Sequence, residues 1–101
     1  MSTFSNVACV GMHFRGAAAV QAAAALSEGD TLDLRREPDN AYDSNAIQVY
    51  LEDLHLGYVE RDQAAWIAPL IDDGGTAEAT VTSLEQRGKN IHPILTIEVH
   101  P

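Results

Sequence analysis

Thr31-Leu32-Asp33-Leu34-Arg35-Arg36 and Ala46-Ile47-Gln48-Val49-Tyr50-Leu51 bracket the loop Glu37-Pro38-Asp39-Asn40-Ala41-Tyr42-Asp43-Ser44-Asn45, and the reading of this stretch decides the fold. Each flank alternates apolar and polar residues with period two, the pattern of a half-buried strand. The loop between them holds Pro, Asn and Asp, all turn formers, so it is a shaped connection between paired strands. Arg36, Tyr42 and Asp43 are more than a turn requires. Loops carried on a rigid sheet are where binding groups tend to sit.

Working outward, Phe4 to Phe14 reads as a first strand interrupted at Gly11 by a bulge or a close backbone approach. The alanine-rich stretch Gly16 to Ser27 favours helix by propensity, and Glu28-Gly29-Asp30 closes it with a turn. Glu52-Asp53 makes a tight turn into the strand Leu54 to Glu60, so the second flank and this strand form a hairpin. Asp62 is placed to cap a helix running towards Ile71, with Gly74 as its left-handed terminator and Pro69 as a point of kinking. Ala77 to Leu84 and His92 to Val99 alternate again, joined by Gln86-Arg87-Gly88-Lys89-Asn90. Six short strands with one or two helices predict a mainly β domain, a small barrel or sandwich.

Composition narrows the class. With 101 residues the chain predicts a single domain spanning 1–101, enough for one core. The single cysteine, Cys9, excludes a disulfide framework and reads as a small buried hydrophobe in a reducing compartment. No basic signal-peptide start precedes Phe4, and Gly16 to Ser27 is too short to span a bilayer, so a soluble cytoplasmic protein is expected. Fifteen acidic against six basic side chains give a formal net charge of −9, which argues against a protein that coats duplex DNA.

The string REPDNAYDSNAIQVY (36–50), preceded by VGMHF (10–14) and followed by HLGYVER (55–61), resembles a HIRAN domain. Three blocks in the family's order carry the resemblance. It implies a small six-stranded barrel similar to an OB-fold, and a non-catalytic module that recognises the 3′ end of single-stranded DNA. Within the family pattern Phe14 falls at the aromatic position that sandwiches the terminal base, and Tyr42 and Asp43 at the 3′-hydroxyl. His13 falls where eukaryotic members have arginine. Two positions depart from the pattern: Ala41 stands where proline is common, and Glu60 stands where a basic side chain meets the DNA backbone, leaving Arg61.

Residue chemistry gives these positions competing readings. Leu32, Leu34 and Arg36 share the inward face of their strand, and Asp33 and Arg35 the outward one. At the barrel rim Arg36 can meet a phosphate or hold Asp39 and Asp43 in place, whereas Arg35 reads as a solvated charge. A carboxylate accepts a terminal hydroxyl proton and repels a terminal phosphate, which suits Asp43 to reading an end. The plainer alternative has Asp43 capping the next turn and Tyr42 packing on the wall. Phe14 can stack a base or pack in the core, with Arg15 beside it for phosphate. Asn40 completes the loop core, Tyr58 faces the barrel or its rim, and Gly57 lets the signature loop pack closely.

Catalytic readings fare badly. His92 and His100 would lie about 26 Å apart on one strand, too far to share a metal. No nucleophile stands in a motif with a base, and no cofactor is implied. Asp72 and Asp73 end a helix where the macrodipole disfavours negative charge and read as a solvated turn. Two functional classes remain: a module capturing a single-stranded DNA 3′ end, weakly and with little salt dependence, in repair, fork or DNA-processing contexts; or a protein-interaction module whose acidic surface recruits a helicase, nuclease or other DNA-processing enzyme. Oligomeric state does not follow from the sequence.

Overall fold

A computed structural model describes all residues from Met1 to Pro101. In chain order the elements are β1 (Ser2–Val10), α1 (Met12–Arg15), α2 (Ala17–Ala24), β2 (Thr31–Arg36), β3 (Ile47–Leu51), β4 (Leu54–Val59), α3 (Arg61–Asp72), β5 (Thr76–Arg87) and β6 (Asn90–His100). The strands close into an antiparallel barrel in the order β1-β4-β3-β2-β5-β6, with β6 returning to β1. Closure removes free sheet edges. The β1–β4 and β2–β5 seams are short, pairing Cys9 with Val59 and Val10 with Tyr58, and Thr31 with Thr80 and Leu32 with Ala79.

The core follows strand parity. Leu32 is buried and Leu34 half-buried while Asp33 and Arg35 are exposed, and across the barrel Val7, Cys9, Ile47, Val49, Leu56, Leu95 and Ile97 lose all contact with solvent. Burial pushes the Cys9 thiol up to about 12, so it is an inert packing group. Small alanines let α2 lie close over β4 and β6, presenting Ala19 and Ala23 to the core.

The first strand is shorter than alternation suggests. Gly11, with φ 84°, ends β1 and turns the chain into the single helical turn α1, whose Met12 joins the core while His13, Phe14 and Arg15 stay outside. A Cβ at Gly57 would overlap the Val10 carbonyl oxygen and press on Met12 Sδ, so Gly57 admits the start of α1 and not the signature loop. The cap of α3 is also displaced. Glu60 has extended backbone and its carbonyl accepts the Gln63 and Ala64 amides, which makes it the N-cap; Asp62 lies inside the first turn, where the dipole favours its charge. Pro69 stays inside α3, and Gly74 takes the left-handed conformation (φ 98°) beyond its end. The β5–β6 turn needs only Gly88 and Lys89, because Gly88 supplies the positive φ (62°) required at the first position of a two-residue hairpin.

Candidate nucleic-acid interface

The loop between β2 and β3 is built by Asn40. Its Oδ1 accepts the amides of Tyr42 (2.9 Å) and Asp43 (3.0 Å), and its Nδ2 donates to Glu37 Oε1 (3.1 Å). Asp43 repeats the device, with Oδ1 accepting the Asn45 amide at 2.9 Å. These side-chain turns replace the missing strand ladder and push the Tyr42 ring outward, 89 % exposed.

Arg36 follows its inward row to the rim but does not hold Asp39 or Asp43. Its Nε and one terminal nitrogen donate to the two carboxylate oxygens of Asp72 at 2.8 and 3.0 Å, and its terminal nitrogens also donate to the carbonyls of Ala46 (2.7 Å) and Ser44 (2.9 Å). Little of this guanidinium remains for a phosphate. The pairing raises the Arg36 pKa and holds the Asp72 carboxyl below its ordinary range, hydrogen bonding being the main cause in both. Asp72 is thus a tether for the loop, a role its place at a helix C-terminus concealed.

The outer wall carries a ladder of flat groups. Arg35 lies 3.7 Å over the Tyr50 ring, Tyr50 stacks on His55 (4.9 Å), and His55 meets Tyr58 edge-on (5.0 Å). The register that sets Gln48 beside Tyr58 puts this tyrosine on the outer face, where its hydroxyl donates to Glu37 Oε1 at 2.7 Å. Glu37 also accepts from Asn40 and Gln48. The Tyr58 hydrogen bond is the largest influence holding the Glu37 carboxyl below its ordinary range. Burial and then Glu37 push the Tyr58 phenol up. Sequence reading passed over Glu37 because its partners lie as far as 21 residues away; the available signal was an acid at the end of an alternating strand, just before the turn.

Asn40, Tyr42, Asp43, Tyr58 and Arg61 line one cleft of about 220 Å³, floored by Val10, Ala46 and Val59. Arg61 is its basic residue, with Nε 3.9 Å from Asp43 Oδ2 and a terminal nitrogen donating to the Tyr42 carbonyl at 3.3 Å. Arg61 is three-quarters exposed and its contact with half-buried Asp43 is long, so the pair is loose and Arg61 is free to swing. Phe14 and His13 lie on α1, just beyond the cleft residue Val10, with rings 4.0 Å apart. Phe14 is 83 % exposed, which removes the core-packing reading. Arg15 is exposed and close enough to His55 and Tyr58 to influence both electrostatically. Glu60, at the family's basic position, is used internally: its carboxylate accepts the Ala8 amide and its own amide donates to the Ala8 carbonyl.

The family profile of the HIRAN domain matches residues 3–100. The chain belongs to the HIRAN domain family. HIRAN domains are known for DNA binding. The crystal structure of a protein from Lactobacillus plantarum is 33 % identical, superposes with a TM-score of 0.76, and shares 95 % of this chain with 94 % of that one. The HIRAN domain of human HLTF superposes with a TM-score of 0.73 at 19 % identity, over 97 % of this chain and 74 % of that one, a likeness of fold. No curated protein matches the chain. No cluster of His, Cys, Asp and Glu is arranged to hold a metal ion in this HIRAN domain, and no helix is long and apolar enough to cross a membrane.

Proposed function

We propose that this HIRAN domain is a non-catalytic module that captures the 3′-hydroxyl end of single-stranded DNA, in a DNA-processing setting. The observation that carries the reading is the convergence of exposed Tyr42 and Arg61 with half-buried Asp43 on one small apolar-floored cleft. Asp43 Oδ1 is held by the Asn45 amide, which fixes the carboxylate and leaves Oδ2 to accept the terminal hydroxyl. Arg61 swings from Asp43 to the last phosphate, and Tyr42 lays its ring along the sugar. Phe14 stacks the terminal base, with His13 and Arg15 beside it. Arg36 acts by holding the loop.

The formal charge of −9 fits an end-binder better than a strand-binder, since a site touching one or two phosphates depends on local geometry more than on the whole field. The test compares short labelled oligonucleotides ending in 3′-hydroxyl or 3′-phosphate. Preference for the hydroxyl, lost in Asp43→Ala, is expected; equal binding of both ends by the wild type would end the proposal.

A further inference from the structure

The outward side of α3 is a second surface with an unusual makeup. Trp66, the single tryptophan of the chain, is 73 % exposed, while the helix buries Ala64, Ile67 and Ala68. Asp62, Trp66, Pro69 and Asp73 follow one another at helical spacing and are all exposed, forming one stripe. Pro69 has no amide to donate to the Ala65 carbonyl four residues earlier, so this carbonyl lacks its usual helical donor. The stripe therefore offers an aromatic face, two carboxylates and a carbonyl. Its charged groups are both acidic, and its one side-chain donor is the Trp66 indole N–H.

That chemistry selects the occupant. A phosphate backbone would meet two carboxylates and no cation, because Arg36 is committed to Asp72, and Arg61 emerges about 140° around the helix from Trp66, towards the Tyr42–Asp43 cleft. A cation suits every element of it: guanidinium or ammonium over the indole, flanked by carboxylates. We propose that the Trp66 side of α3 docks a lysine- or arginine-bearing segment of another protein. The surface is separate from the cleft, so the proposal stands whether or not the cleft takes DNA.

Trp66 is its own reporter. Titration of the full chain with a short lysine–glycine peptide, and with its arginine and glutamate counterparts, is read by indole emission and by anisotropy of labelled peptide. Saturable binding of the cationic peptides is expected, weakened about tenfold by Trp66→Ala and similarly by Asp62→Asn with Asp73→Asn, at unchanged melting temperature. Wild-type affinity in Trp66→Ala would reduce the effect to diffuse charge attraction and overturn the proposal. So would oligonucleotide binding, or self-association of the protein, that Trp66→Ala abolishes.

Discussion

Arg36 and Asp72, 36 residues apart, meet through two parallel hydrogen bonds and so fasten the β2–β3 loop to the far end of α3. The same guanidinium reaches the carbonyls of Ser44 and Ala46, so one side chain fixes both the exit of the loop and its distance from the helix. Arg36→Ala should lower stability to urea by about 2 kcal/mol and weaken end binding without removing any ligand contact. Arg36→Lys should not restore it, because an ammonium cannot reproduce the planar fork. Full rescue by lysine would contradict this account.

Phe14 should show the opposite profile. An aromatic ring so exposed contributes little to packing, and Phe14→Ala should leave the melting temperature nearly unchanged. If the ring stacks a base, worth about 1–3 kcal/mol, the same substitution should reduce oligonucleotide affinity on the order of tenfold. A clear loss of melting temperature would instead make Phe14 a structural residue.

Parity made much of the barrel legible. Leu32, Leu34 and Arg36 were placed inward by alternation alone, and the hairpin at Glu52-Asp53 by its turn. What alternation could not locate was the end of β1, since a continuously apolar run reads alike as buried strand or buried helix until Gly11 reverses its φ. Grouping Asn40, Tyr42, Asp43, Tyr58 and Arg61 followed from the family blocks. Glu37 and Asp72 stayed hidden because each acts through partners that only closure of the barrel supplies.

Stability should fall with acid in two stages. Burial, aided by Arg15, holds the His55 pKa below its ordinary value, so its contribution is complete above about pH 6.5 and is lost as pH falls through the depressed folded value. Glu37 and Asp72 are also lowered, but from carboxylate values, so their contributions are lost only below about pH 4. Urea midpoints measured across pH should show both limbs. His55→Gln should flatten the upper one, and Glu37→Gln should reduce the lower one; an unaltered upper limb in His55→Gln would remove His55 from the explanation.

Gly57→Ala tests the seating of α1. The new methyl would strike the Val10 carbonyl oxygen, a backbone atom with no rotamer to move, while Met12 Sδ at 3.1 Å and Cys9 Sγ at 3.3 Å crowd it further. A loss of about 2–4 kcal/mol is expected in calorimetry or urea unfolding. Trimming Met12 to alanine should not recover it; recovery would mean that the thioether, and not the main chain, sets the limit.

Because β6 returns to β1, Ser2 lies opposite Val99 and Thr3 opposite Glu98. The chain therefore enters and leaves the barrel side by side. A unit with that geometry can be spliced into a surface loop of a host protein without prising the host apart, and β1 and β6 can be joined by a short linker while a new opening is made at Gly88-Lys89.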